Sequence, residues 1–484
     1  MRLPGHLLLL LFLLGFPLPV SGIEVDFSLR DAVYSQPLHA HCNLQDSKGE
    51  YYHPMRATPE VTHASAPFLT EGDFHVVLPR AGDYRLTVDR GMLWKPHDQV
   101  HSITQTGSHI TINISPFIIA AKKNWFTGDL EARVPSEDIE KLMRTQDLNL
   151  IGRPLPPLEA IKEPGAVKHH TGWIAYRHRD WAFEEFNVIG TMFEITENET
   201  PFRSSEMGLM NRAHELDGFV DILRPEMDDA AVAAALGWLD AVRVVGPINS
   251  PEETWTEEQV LERFEAYYNL LNCGFKIPIS AGSCATESGF GPEDRIGRAR
   301  LFARVLSTFT YGYFMKACRT GNSFGTNGPI LSFLAGSKFA GEELLLKSGS
   351  EINVALGARS RNRIDRVEIL YNGEIVSASG PDDSGTIALA KLDLPVGEGG
   401  WIVGRAFEER SSPEEPIRYA HTSPIYLRVG DEQPVDKQQP QKFATAITGR
   451  IRKIKNQRDL SDWEREKLIE WHSQARDFYL DLAR

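Results

Sequence analysis

The stretch NWFTGDLEARVP, residues 124–135, decides how the central part of this chain is interpreted. A short apolar start leads into Asp129, Glu131 and Arg133, which alternate with apolar residues. Alternate residues of a strand lie on one face, so these three side chains are predicted to point together at a strand end. Carboxylate oxygens bind divalent metals, whereas a guanidinium has only donors and stays protonated. The stretch therefore indicates either an altered metal site or an ion-pair cluster.

The surrounding sequence, residues 116–335, alternates short apolar runs with helical patterns. The runs NVIGTMFEIT, GFVDIL and KIPISAGS are typical of buried strands that enter polar turns. This alternation predicts an α/β domain, and chemistry in such domains collects at the carboxyl ends of the strands.

Both flanks show the period-two pattern of strands. Residues 23–115 are predicted to form a β-sandwich, and VLPRAGDYRLTVDRG resembles the carboxypeptidase-regulatory-like module through Gly82, Tyr84, Leu86 and Val88. Residues 336–430 predict a second, Ig-like β-sandwich. In it, Asn372-Gly373 separates two strand patterns, which is a strong hairpin signal because both turn positions need positive φ.

The two ends of the chain have their own patterns. Residues 1–22 combine Arg2 with an apolar run and the small residues Ser21 and Gly22, which is typical of a secretory signal peptide. Residues 431–484 predict a linker and C-terminal helices. There Ser461 and Glu464 form a capping box before an apolar stripe, which consists of Leu468, Trp471, Ala475, Phe478 and Leu482.

Composition narrows the classes of partner. The formal net charge of −14 leaves no basic excess to neutralise phosphates, so no nucleic-acid partner is expected. No run reaches the roughly 20 apolar residues of a membrane-spanning helix, so no stable membrane span is expected. The four cysteines are few for a secreted chain of 484 residues, and the sequence leaves open buried thiols or one disulfide.

Three segments carry a resemblance to a known family: WFTGDL at 125–130, YYNLLNCGFKIPISAGS at 267–283 and ACRTGNSFGTNGPILSF at 317–333. They resemble the CehA/McbA-type metallohydrolases of the polymerase and histidinol phosphatase (PHP) superfamily. The resemblance covers most of the mature chain and implies a multidomain α/β plus all-β fold. Its centre would be a distorted PHP-type α/β barrel, flanked by the two β-sandwiches and the helical tail. It also implies a hydrolase in which divalent metals activate a water.

The metal-binding motifs of that family are altered in this sequence. Its first motif, G-D-x-H-x-H, corresponds to Gly128–Arg133, so both histidines are replaced, by Glu131 and Arg133. Four other positions align with the metal site of the family. Asp129 and Glu194 keep a carboxylate there. Arg224 stands in place of the histidine of a His-Pro strand end, and Cys284 follows Gly-Ser where the superfamily has an aspartate. We expect Arg133 and Arg224 to pair with Asp129, Glu131 and Glu194 in place of the metal, because carboxylates clustered without a cation repel each other.

A relocated metal or substrate site is the competing interpretation. His169, His170 and His178 offer imidazole ligands in one segment, without the spacing of a known zinc signature. If they approach Glu131 or Glu194, an active hydrolase of esters or phosphoesters that uses Zn, Mn or Fe is indicated. A dry ion-paired cluster favours a non-catalytic protein.

The sequence thus predicts a secreted or periplasmic protein that resembles a metallohydrolase and lacks its metal motifs. No catalytic residue is assigned, no cofactor is expected, and a small-molecule or cell-surface ligand is the expected partner. The active hydrolase and an extracellular binding module built on the β-sandwiches remain the two alternatives. The sequence does not define the oligomeric state.

Overall fold

A computed structural model describes residues 22–55, 67–132, 139–152, 166–168, 174–176, 179–182, 186–191, 207–248, 254–285, 295–430 and 436–484. The chain divides into two compact units. The first contains the described residues up to Asp89 together with Pro96–Ile114, and the second contains Arg90–Lys95 and Ser115–Arg484.

The described residues of the first unit form two sheets. One has the order β5-β1-β8, and the other has the order β3-β2-β6-β7 with β4 paired to β2. The strands are β1 (Ile23–Asp31), β2 (Ala40–Asp46), β3 (Tyr51–Tyr52), β4 (Phe68–Thr70), β5 (Asp73–Leu78), β6 (Gly82–Asp89), β7 (His97–Ile103) and β8 (Ser108–Ile114).

Apolar side chains from both sheets pack together inside this unit. The rings of Phe68 on β4 and Phe74 on β5 meet edge to face at 5.1 Å. On β6 the alternation expected from the sequence is confirmed, because Tyr84, Leu86 and Val88 are all buried. The Tyr84 hydroxyl donates to the Arg80 carbonyl at 2.9 Å, so its polar end is satisfied.

The second unit contains twenty strands in the described residues. They are β9 (Trp125–Asp129), β10 (Leu150–Ile151), β11 (Ala166–Lys168), β12 (Ile174–Tyr176), β13 (Arg179–Ala182), β14 (Phe186–Thr191), β15 (Phe219–Ile222), β16 (Ala241–Val245), β17 (Ile279–Ala281), β18 (Arg300–Arg304), β19 (Ser323–Thr326), β20 (Ile330–Ala335), β21 (Glu343–Leu346), β22 (Ser350–Arg359), β23 (Ile364–Tyr371), β24 (Glu374–Ser379), β25 (Ile387–Val396), β26 (Gly400–Glu408), β27 (Tyr419–Thr422) and β28 (Ile425–Val429).

These strands correct the predicted fold class. A ten-stranded sheet has the order β10-β9-β18-β19-β27-β26-β23-β24, with β28 on β26 and β21 on β28. Smaller sheets are β13-β14-β15-β16-β17, β20-β22-β25 and β11-β12. The expected α/β barrel flanked by separate sandwiches is wrong, since the sheets of the described residues are open and β-rich. The physical reason is that β19 pairs with β27, so the sheet of β9 continues into strands after position 335 instead of closing.

Several of the parallel strand pairs position the site. Strand β15 runs parallel to β16, and β16 runs parallel to β17. Strand β9 is parallel to β10. Beyond β9, the Leu130 N–H donates to the Ala281 carbonyl at 3.3 Å, so the ends of β9 and β17 lie side by side.

Helices cover these sheets, and several begin at the residue types that favour a helix start. They are α1 (Ile139–Gln146), α2 (Met207–Glu215), α3 (Asp228–Ala235), α4 (Glu257–Leu271), α5 (Tyr311–Thr320), α6 (Gln438–Asn456) and α7 (Asp462–Leu482). The predicted capping box at Ser461 and Glu464 is confirmed. Helix α7 packs on α3, where the Tyr479 hydroxyl donates to the Ala231 carbonyl at 2.7 Å.

Three further sequence features can be compared with the structure. Asn372 and Gly373 have φ angles of 50° and 93° between β23 and β24, which confirms the predicted hairpin turn. All four cysteines are buried thiols without a disulfide. No helix among the described residues has the length and apolar character needed to cross a bilayer.

The capping box generates a prediction about stability. Replacing Ser461 with Ala removes the side-chain acceptor of the Glu464 N–H, so we expect the free energy of unfolding to fall by about 1 kcal/mol in urea titrations. Ser473→Ala makes the same change inside α7, where alanine favours the helix, and should be neutral or slightly stabilising. Equal losses from both variants would contradict a capping role.

Candidate functional site

The candidate site lies where β9, β15, β16 and β17 bring buried charged residues together. Glu131 follows β9, Asp221 lies on β15, Arg243 lies on β16 and Ser280 lies on β17, and all four are 0% exposed. We call these four residues the Arg243 cluster. Fully buried charges are rare in proteins unless they are paired, so their contacts decide what the site does.

The guanidinium of Arg243 holds both carboxylates. Its Nη1 donates to Glu131 Oε2 at 2.9 Å, and its Nη2 donates to Asp221 Oδ2 at 2.6 Å. Its Nε donates to Asp221 Oδ2 and to the Ser280 hydroxyl, each at 3.2 Å. The Ser280 hydroxyl in turn donates to Asp221 Oδ1 in a short hydrogen bond. All three guanidinium nitrogens are therefore used.

Burial and neighbouring charges shift the pKa values of Asp221 and Arg243 in opposite directions. Burial raises the pKa of Asp221, while the charge of Arg243 and the hydrogen bond from Ser280 oppose that rise. For Arg243, burial lowers the pKa, but Asp221 and Glu131 outweigh it and hold the pKa above its ordinary value. The guanidinium is therefore a permanent cation between the two carboxyl groups.

Asp129 forms a second buried anchor beside the Arg243 cluster. Its Oδ1 accepts from the Ser283 N–H at 2.9 Å and from the Glu131 N–H at 3.1 Å. Its Oδ2 accepts from the Gly297 N–H at 2.6 Å and from the Ser283 hydroxyl in a short hydrogen bond. Burial raises the pKa of Asp129, and these donors oppose the rise. The Asp129 carboxylate accepts four hydrogen bonds and so joins the turn after β17 to the end of β9.

Gly282 allows the backbone to approach the cluster. A Cβ at this position would lie 2.7 Å from Arg243 Nη1 and 3.0 Å from Glu131 Cβ, which is too close for any other residue type without movement. Cys284 follows with a positive φ of 52°, and its Sγ lies 3.3 Å from the Pro247 carbonyl oxygen and 3.4 Å from that of Ile248. The thiol thus contacts backbone carbonyls.

The residues singled out from the sequence have different outcomes. Asp129, Glu131 and Cys284 lie together at the ends of β9 and β17, and Arg224 is partly buried after β15. The other predicted positions lie outside the described residues: Arg133, Glu194, His169, His170 and His178. The expected pairing of Arg133 and Arg224 with the carboxylates therefore stays a prediction.

Sequence reasoning missed Asp221, Arg243 and Ser280. A signal was present, because Asp221 interrupts the apolar run GFVDIL and Arg243 interrupts AVRVV. A charged residue inside a fully buried strand needs a partner, so each predicts a buried ion pair. The pattern did not identify the partner, since Glu131 and Arg243 are 112 positions apart.

The contents of the cluster do not fit a catalytic metal. A divalent ion would bridge Glu131 and Asp221 through their oxygens, and the Arg243 guanidinium already lies at hydrogen-bond distance from both. The described part of the chain contains no group of three or more metal-ligating side chains placed to share an ion. The carboxylates are also fully buried, so a substrate does not reach them in this conformation.

Comparisons with known proteins add little to this site. No family model and no curated protein matches the chain. Among solved structures, it is similar to the crystal structure of a variant of BcpA, the major pilin subunit of Bacillus cereus, with 6% identity, a TM-score of 0.23 and coverage of 84% of this chain and 69% of that chain. A TM-score this low supports no conclusion about fold or function.

The Arg243 cluster predicts a large loss of stability when its cation is removed. Arg243→Met leaves two buried carboxyl groups without their cation, so we expect the free energy of unfolding at pH 7.5 to fall by about 3–5 kcal/mol in urea titrations. Arg212→Met is the control, because Arg212 forms a surface pair with Glu215 on α2, and it should change stability by less than about 0.5 kcal/mol.

The same variant predicts a pH dependence. Arg243 lowers the pKa of Asp221, so its removal raises that pKa further above the value in the unfolded chain. The folded variant then binds a proton that the unfolded variant has released, and its stability increases as pH falls through this window. The stability difference between wild type and Arg243→Met should therefore shrink between pH 7.5 and pH 5. A difference that stays constant over this range would contradict the assignment.

Proposed function

We propose that this chain is an exported, non-catalytic relative of the CehA/McbA-type metallohydrolases. The observation that carries the proposal is the position of the Arg243 guanidinium between Glu131 and Asp221. Glu131 stands where the resemblance expects the first metal-binding histidine. The guanidinium supplies positive charge there and uses its donors on the two carboxylates.

The chemistry of a guanidinium separates this site from a catalytic metal centre. A divalent metal with an open coordination position lowers the pKa of a bound water and polarises the substrate. A guanidinium has no coordination position and does not act as a proton acceptor at neutral pH. Exchange of the metal for Arg243 therefore keeps the carboxylates together and removes the hydrolytic step.

Export is part of the proposal because residues 1–22 have the pattern of a signal peptide. A protein of this kind acts by binding, and a small molecule or a cell-surface ligand is the partner class that we propose. The net charge of −14 supports this choice over a polyanionic partner.

Metal analysis of the purified protein tests the proposal. We expect far less than one atom of Zn, Mn or Fe per chain, and no hydrolysis of chromogenic phosphodiesters, phosphomonoesters or carboxylesters with any of these metals added. Stoichiometric metal together with hydrolysis would overturn the proposal in favour of an active hydrolase with another ligand set.

A second measurement asks whether the guanidinium has taken the place of a metal. In Arg243→Ala the two carboxylates lack a cation, so Zn²⁺ or Mn²⁺ should raise the thermal unfolding midpoint of this variant more than that of wild type. Arg212→Ala is the matched control and should respond like wild type. Equal responses of all three proteins would contradict the idea of a replaced metal site.

A further inference from the structure

An open cleft lies between α4, α6 and the segment that leads into α3. It has a volume of about 320 Å³. The residues of α4 and α6 that border it have the spacing of one helix face, so each helix forms one wall. Ligand pockets in proteins typically have volumes of about 300–1,000 Å³, so this cleft is large enough for a small organic molecule.

Three glutamates border the cleft without a partner in the protein. Glu226 lies just before α3, and Glu262 and Glu265 lie on α4. Within the described part of the chain, none of these three carboxylates forms a hydrogen bond or an ion pair. We call them the rim carboxylates, because all three residues are exposed. The cleft has one basic residue, Lys442, so its charge is negative.

An almost fully buried amide also borders the cleft without a partner. Gln439 on α6 is only 5% exposed, and its side chain forms no hydrogen bond among the described residues. Its amide atoms are not enclosed by the protein, so they face the open space that the residue borders. Most buried polar side chains have a hydrogen-bond partner. Gln439 therefore points to a polar group that enters the cleft from outside.

Burial divides the cleft into a charged rim and an apolar floor. Ala231 on α3 and Ile447 on α6 are 4% and 1% exposed, and the ring of Phe443 is partly buried next to them in sequence and in the wall. We call these three residues the apolar floor. A ligand with an apolar body and a cationic end matches both parts, since each part meets the chemistry that it favours.

A protonated amine fits the rim better than a metal ion. The rim carboxylates do not form a group placed to share one ion, and no such group of three occurs in the described residues. An ammonium carries three N–H donors, and carboxylate and amide oxygens accept from them. Hydrogen bonds of this charge-assisted kind are about twice as strong as neutral ones.

We propose that this cleft binds a small organic amine, with its ammonium at the rim carboxylates and its apolar body on the apolar floor. The proposal stands on the cleft alone. It holds whether or not the Arg243 cluster has replaced a metal, because the two sites share no residue.

Calorimetric titration of the purified protein with phenethylamine tests this proposal. Phenethyl alcohol has nearly the same shape without the charge, and hydrocinnamate carries a negative charge instead. We expect phenethylamine to bind, the alcohol to bind at least about tenfold more weakly, and hydrocinnamate to bind most weakly. No binding of phenethylamine, equal binding of the alcohol, or tighter binding of hydrocinnamate would each overturn the proposal.

Charge variants test the rim carboxylates. Exchange of all three for Gln keeps their size and removes their charge, so phenethylamine binding should weaken by about tenfold or more. The matched control makes the same exchange at three exposed glutamates that lie outside the cleft and form no ion pair: Glu258, Glu374 and Glu466. This control should bind like wild type. An unchanged affinity in the rim variant, or an equal loss in both variants, would overturn the assignment.

A pair of variants on α6 locates the ligand independently of charge. Ala446 and Thr445 are both exposed, but only Ala446 borders the cleft. The large side chain in Ala446→Trp should occupy the cleft and weaken phenethylamine binding by about tenfold or more, whereas Thr445→Trp should bind like wild type. An affinity that is unchanged in Ala446→Trp, or that falls equally in Thr445→Trp, would place the ligand elsewhere and contradict the proposal.

Discussion

The guanidinium of Arg243 is completely buried, and its transfer from water is one of the largest costs in this fold. The cost is offset only while Glu131, Asp221 and Ser280 all hold their positions around it. These residues come from β15, β17 and the segment after β9, so one desolvated cation fixes the relative placement of four chain segments. The backbone geometry of this edge follows from that requirement.

Two neighbouring features show the same constraint. Gly282 has no Cβ, which leaves room for the guanidinium where the chain passes. Asp129 accepts hydrogen bonds from Ser283 and Gly297, and these bonds hold the turn after β17 against β9. The ion pairs and the hydrogen bonds to Asp129 thus support each other, because a shift of this turn would disturb both sets of contacts.

Sequence patterns that depend only on interactions between neighbouring residues predicted the structure correctly. The alternation on β6, the turn at Asn372-Gly373 and the capping box at Ser461 depend on neighbouring residues only, and each is present. The barrel prediction failed because strand pairing is not local: β19 pairs with β27 almost a hundred residues later, and no periodicity in either strand indicates this. Arg243 was missed for the same reason, since the pattern of β16 shows a buried charge but not its partner.

Charge balance explains why the Arg243 cluster has a structural role. In the cluster, every nitrogen of the Arg243 guanidinium meets an oxygen, and the low exposure makes these contacts strong and permanent. A closed, buried set of ion pairs of this kind holds β15, β16, β17 and the end of β9 together and presents no charge to the solvent.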